Sequence, residues 1–322
     1  MKSLFPGYYN YSEVEFKRLW ETSAFVFDTN IFLDLYRLSN ESSDELYKVF
    51  DKIGDRIWAP YHVALEYHNN IFKVLSDQIS KYSGAIRTIE DIKTSITDTK
   101  NHPFLSKEGN EKFNEFYDAI VDDLKNQQTK IQKLLLDNEL KDNLALLLEG
   151  KIGSNLTEGE LSYIETEGAE RFSRKIPPGH KDQDKDTNKY GDLIIWKEII
   201  KHSKDSDVDI ILVTRDVKED WFLKVAGWTV CPRPELVKEF TGETSHKIYI
   251  YSLEGFLRHM NKYIEDSKVT EAVIQEIAEQ IEKDRYNQTE SEDVLNNDAK
   301  TNIGSTQIAI NSTTLCNDAQ TE

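Results

Sequence analysis

FVFDTNIF, residues 25–32, decides how the chain is read. Ala24 to Phe27 are all apolar, as expected of a strand covered on both faces in a parallel sheet. Asp28, Thr29 and Asn30 then interrupt the apolar run before Ile31 and Phe32 resume it. Ending a buried strand on a carboxylate costs desolvation. Two uses would offset that cost. Asp28 can cap a following helix, or it can stand at the carboxyl edge of a sheet, where open α/β folds bind ligands.

Other segments fit the same sheet. Ile57-Trp58-Ala59, ended by Pro60, Ile210–Val213 and KIYIY (247–251) are further strand candidates. A helical pattern at 192–202 and others lie between them. Strands alternating with helices predict an α/β domain with a central, mainly parallel sheet. Before it, Ser12 and Glu15 have capping-box spacing for a short helix.

The middle follows another rhythm. Leu75, Ile79, Tyr82, Ile86, Ile89 and Ile96 step by fours and threes, broken only at Lys93. Phe113, Tyr117, Ile120, Leu124, Ile131 and Leu134 repeat the pattern, with Gln127 as the break. Two heptad seams around Asn101-His102-Pro103 predict an antiparallel, coiled-coil-like helical hairpin inserted at about 70–148. Two seams that satisfy each other predict an excisable 72–146. Beyond the main domain (1–265), Val269, Val273, Ile274, Ile277 and Ile281 predict an amphipathic helix at 266–286. The polar stretch 287–322 has the composition of a disordered tail.

Composition bounds the function. The 322 residues carry 58 Asp plus Glu against 40 Lys plus Arg, a formal charge of −18. Such a surface repels nucleic acid unless cations or a local basic patch intervene. Cys231 and Cys316 form no disulfide framework. No apolar run reaches bilayer length and no signal segment opens the chain. A cytoplasmic protein without a membrane association is the expectation.

Four acids fall where strands end or helices begin: Asp28, Glu66, Asp192 at the start of DLIIWKEII, and Asp216 just past IILVT. Each has an ordinary explanation. Asp28 and Asp192 suit helix caps, Glu66 a solvated helix surface, and Asp216 a turn. Together they suit a hard divalent cation, which takes clustered oxygen ligands.

FVFDTN, APYHVALEYHNN, PPGHKDQDK…YGDLIIW and IILVTRDVKEDW, in that order, resemble the PIN-like domain family over roughly 1–255. The resemblance implies a Rossmann-like fold and a metal-dependent nuclease. It makes Asp28, Glu66, Asp192 and Asp216 the acids that hold Mg²⁺ or Mn²⁺. Thr29, Asn30 and Thr214 match supporting polar positions. The implied partner is nucleic acid, RNA before single-stranded DNA, with toxin or defence roles common in the family. A second copy or a protein partner would use the helical insertion.

Asp182, Asp184 and Asp186 begin like a calcium loop, but Thr187 replaces its glycine and Leu193 its glutamate. Asp182, matching an acid of the family's PPG segment, is an extra ligand candidate or a solvated loop acid. Asp220 is expected to orient a basic neighbour, and Trp221 to pack in the core. Arg37, His180, Lys181, Lys185, Lys189, Arg215 and Lys218 are candidate phosphate contacts. His62 and His68 complete no zinc pattern. Two alternatives stay open. A haloacid-dehalogenase-like phosphatase would normally have an acid where Asn30 stands. A non-catalytic PIN-like scaffold would leave the four acids unused.

Overall fold

The computed structural model describes residues 1–2, 4–97, 105–185, 187–264 and 269–283. Three parallel strands form the sheet: β1 (Ala24–Phe27), β2 (Ile210–Thr214) and, on the far side of β2, a strand at Ile248–Ser252. Phe27 pairs with Val213, and Val213 with Tyr251. The strands are parallel and in register, so their carboxyl ends share one edge. Asp28, Thr214 and Ser252 all lie there.

The helices in chain order are α1 (Glu13–Thr22), α2 (Thr29–Asp34), α3 (Asn40–Ile53), α4 (Tyr61–Thr97), α5 (Lys107–Lys133), α6 (Glu139–Leu148), α7 (Glu158–Ser173), α8 (Gly191–Ser206), α9 (Pro234–Thr244) and α10 (Leu253–Tyr263). Ser12 and Glu15 form the expected capping box on α1. Trp20 of α1 stacks on Phe256 of α10 at 5.3 Å and packs against Phe25. Phe27 continues this aromatic cluster with Phe32, Phe50 and Phe256. Trp196 of α8 joins Trp221 and Phe240 in a second cluster.

Ile57–Ala59 contributes single bridges, not a strand: Ile57 to Phe25 and Ala59 to Ile152. Pro60 has no N–H to extend the ladder, and α4 begins at the next residue. A β-hairpin not anticipated from sequence, β3 (Phe222–Val225) and β4 (Trp228–Pro232), turns at Ala226-Gly227 with φ of 51° and 83°. The strand at Ile248–Ser252 is therefore β5.

α4 and α5 form the expected antiparallel pair. Gln128 donates to Ile79 O at 3.0 Å and Ser83 Oγ at 2.7 Å, while Lys93, farther along α4, meets Tyr117, earlier on α5. The break at Lys93 is filled by a cation–π contact, with Nζ 3.6 Å from the Tyr117 centroid. The connection at 101–103 lies outside the described residues. The base of the insertion belongs to the main core: Val74, Leu75, Leu144 and Leu148 are all buried in it. Excising 72–146 would therefore remove core side chains, against the expectation that this stretch is excisable.

Residues 271–283 are helical, with Val273, Ile274 and Ile277 buried. Glu276 fixes this helix to the start of α3, accepting from Ser39 N at 2.7 Å and from Ser42 Oγ. Residues 266–268 and 284–322 fall outside the described residues.

Candidate active site at the strand ends

Asp28 sits where the register places it. Its N–H donates to Val213 O at 2.9 Å. Its Oδ1 accepts from Thr29 N at 2.7 Å, so it does cap α2. Its Oδ2 accepts from Thr214 Oγ1 at 3.0 Å. Thr214 Oγ1 in turn accepts from Asp216 N at 2.9 Å. Thr29 Oγ1 donates to Glu66 Oε2 at 2.6 Å. One hydrogen-bonded chain thus runs Glu66–Thr29–Asp28–Thr214–Asp216, joining the start of α4 to the ends of β1 and β2.

Asp192 is no cap. α8 starts one residue earlier, at Gly191, and its N-cap position, Tyr190, makes no side-chain cap. Asp192 Oδ2 instead accepts from Trp221 Nε1 at 3.3 Å, so Trp221 both packs in the core and touches the site. The neighbouring glycines are spatial requirements. A Cβ on Gly191 would lie 2.6 Å from Asn188 Nδ2, and one on Gly179, at φ 85°, would lie 3.3 Å from Asp192 Cβ.

Proximity shows in the acidities. Burial first, and then the Glu66 charge, push the Asp28 carboxyl up to about 7. Burial and the charges of Asp216, Asp182 and Asp28 lift Asp192 well above the ordinary carboxylate range. Burial raises Asp216 as well, although Lys218 opposes it. These are carboxylates short of positive charge. Glu66 is the exception. Burial acts upward, but His62 at 3.4 Å, the Thr29 hydroxyl and the Asn188 amide outweigh it and hold Glu66 below its usual value. His62 and Asn188 also bond each other at 3.0 Å, and buried Glu198 accepts from His62 N at 3.1 Å.

The acids do not stand free of cations. Lys218 Nζ lies 2.9 Å from Asp216 Oδ2 and 3.0 Å from Asp182 Oδ1. Lys185 Nζ lies 2.6 Å from Asp182 Oδ2. The two lysines outweigh burial and keep the Asp182 carboxyl below its ordinary range. Among the described residues, no three acid, His or Cys side chains are grouped closely enough to enclose a metal ion.

The other predicted residues divide clearly. Asn30 is exposed and stands beside Glu66 at a cavity. Asp220 is fully buried and orients a turn, its Oδ2 accepting from Gly179 N at 3.0 Å, while Oδ1 lacks a partner. Arg215 is committed to Asp34, a buried acid that sequence reading passed over. Arg37 shares Asp34 at 3.1 Å and also lines the cavity. Lys181 pairs with Glu219 at 3.5 Å, and Lys189 lies over the Tyr190 ring at 4.8 Å. His180 is half-buried with an unpartnered Nδ1.

A family model described as a PIN like domain matches residues 24–236, more than half of the chain. The chain belongs to the PIN-like domain family. Neither a curated protein nor a solved structure matches it. PIN-like domains are generally nucleases that act on nucleic acid and use divalent metals. No helix among the described residues is long and apolar enough to cross a membrane.

Proposed function

We propose that this PIN-like protein is a metal-dependent nuclease acting on RNA before single-stranded DNA, with Asp28, Glu66, Asp192 and Asp216 as its working acids. The observation that carries this reading is the hydrogen-bonded run of acids at the strand ends, whose charge Lys218 offsets only at Asp216. Burial makes Asp28, Asp192 and Asp216 all weaker acids than usual, and the charges of neighbouring carboxylates add to this at Asp28 and Asp192. Strongly perturbed groups grouped in this way mark functional sites more often than structural ones. A divalent cation supplies the missing charge, and the donor set, all hard oxygen, suits Mg²⁺ or Mn²⁺.

Asp28, Glu66, Asp192 and Asp216 would hold the ion, and Asp182 would join them only on releasing Lys218 and Lys185. When bound, such an ion would lower the pKa of a water and stabilise charge on the attacked phosphate. The chain's own residues prepare that chemistry. The Thr29 and Thr214 hydroxyls fix which oxygens of Glu66 and Asp28 face inward. His62 and Asn188 keep Glu66 ionised. Trp221 orients Asp192. Lys218 is the nearest cation for a phosphate oxygen once it exchanges partners. Asn30, exposed and unable to act as a general acid, argues against the phosphatase alternative.

The test is a cleavage panel over RNA, single-stranded DNA, duplex DNA and a small phosphomonoester. Cleavage of RNA with Mn²⁺ or Mg²⁺, arrest by EDTA, and loss in Asp28→Asn/Asp216→Asn are expected. Undiminished cleavage by the double variant would remove the assigned site. Hydrolysis of the monoester alone would make the protein a phosphatase.

A further inference from the structure

A cavity of about 320 Å³ opens between α2 and the first turns of α4, next to Glu66 and Thr29. Its size is at the small end for ligand-holding pockets and suits one nucleotide. Its lining is built by helix periodicity. Glu66, Asn70, Lys73 and Asp77 follow at steps of four, three and four, so they share one face of α4. Arg37 and Asn30 face them from the α2 side, while Leu33 and Val74 supply apolar surface.

The polar groups differ in how fully they are committed. Asn70 donates to Glu66 O at 2.8 Å, which leaves its carbonyl oxygen for another donor. Arg37 gives one terminal nitrogen to Asp34. Lys73 is exposed and forms no ion pair with any described residue. A chain of net charge −18 needs such a local cationic site to retain a polyanion beside its acids. From Glu66 to Lys73 the helix rises about 10 Å, a reach of one or two nucleotides along a strand.

We propose that this cavity is the subsite for the nucleotide flanking the scissile phosphate in a single-stranded substrate: Lys73 and Arg37 grip a backbone phosphate, and Asn30 and Asn70 hydrogen-bond the nucleoside. The inference rests on the nuclease reading and adds the strand's path to it. Asp77, at the outer end of the row, sets a limit, because a second phosphate there would meet a carboxylate. Cation-assisted grip therefore ends at Lys73, and a duplex has no room in a one-nucleotide slot.

The experiment measures binding of a labelled ten-nucleotide single-stranded RNA by Asp28→Asn, which binds without cutting, across a monovalent salt series at fixed Mn²⁺. Adding Lys73→Gln should weaken binding and lower the slope of log affinity against log salt by roughly 0.7, the signature of one lost single-strand phosphate contact. Lys81→Gln, on the same helix beyond the cavity, is the control and should leave the slope alone. An unchanged slope with Lys73→Gln, or an equal fall with Lys81→Gln, overturns the subsite. Wild-type cleavage is scored in parallel. Cleavage with an unchanged slope defeats the subsite and leaves the nuclease. A lowered slope without wild-type cleavage defeats the nuclease and leaves a strand-binding cavity.

Discussion

Two charge clusters flank α8, and they are built on opposite principles. On one side Arg171, almost wholly buried, bonds both Glu239 oxygens at 2.7 Å and Glu167 at 3.1 Å, and it donates to Pro177 O. Lys197 adds a contact to Glu167 at 2.8 Å. Burial acts against Glu239, but Arg171 and Lys197 prevail and hold its carboxyl below the ordinary range. On the other side Asp28, Asp192 and Asp216 are raised, with Lys218 as their main internal counterion. Both clusters are desolvated. The first satisfies its own charges and fixes the segment leading to Asp182. The second leaves charge to be satisfied from outside, as the proposed cation and phosphate site requires.

The contrast predicts substitutions of opposite sign. The largest effect is expected at Arg171. Arg171→Leu strands Glu239 and Glu167 without their shared partner and should cost about 3–5 kcal/mol in denaturant unfolding. A loss under 1 kcal/mol would mean that the balanced cluster is ornamental.

Asp28→Asn should do the reverse. An unfolded Asp releases its proton near its ordinary value of 3.8, whereas folded Asp28 holds it up to about 7. Through that window the folded chain carries the extra proton, so wild-type stability falls as pH rises. Asn has no such dependence. The variant should match wild type near pH 3 and exceed it by about 2–4 kcal/mol at pH 8 in metal-free buffer. Parallel stability curves from pH 3 to pH 8 would show that Asp28 is not strained by its charge.

Lys218→Gln sharpens the comparison with the smallest effect. Removing the internal counterion should cost about 1 kcal/mol without metal, a modest figure for a partly exposed ion pair. Mn²⁺ should restore the loss, because an added cation serves the same carboxylates. Equal deficits with and without Mn²⁺ would separate Lys218 from the acid cluster.

Much of this was legible in the sequence, for definable reasons. β1 and β2 announced themselves because a strand covered on both faces has no polar positions. Asp28 and Asp216 followed, because parallel strands bring their ends to one edge. The α4–α5 pair was legible from its heptad rhythm. The partners of the acids were not. Asn188 and His62 reach Glu66 through side chains, from residues 122 and 4 positions away respectively. Only packing of α4 against α8 creates the first contact. Asp34 looked like one more helix acid, although it fixes both Arg37 and Arg215. Lys218 was read as a candidate phosphate contact, since nothing in TRDVKEDW shows that its ammonium folds back onto Asp216. The β3–β4 hairpin escaped because Trp228 and Val230 are exposed, and its strands lack the buried alternation that reveals others.

The unbroken length of α4 has a mechanical consequence. The helix carries Glu66 on its second turn and continues to Thr97, roughly 45 Å farther at the usual rise per residue. Its near end is clamped by Val63, Tyr67, Ile71 and Leu75, and its far half packs along α5. That makes it a rod with a fixed root and a long free arm. A sideways load on the arm arrives at the root as torque. Whatever takes hold of the outer hairpin therefore has leverage over the angle at which Glu66 meets Thr29.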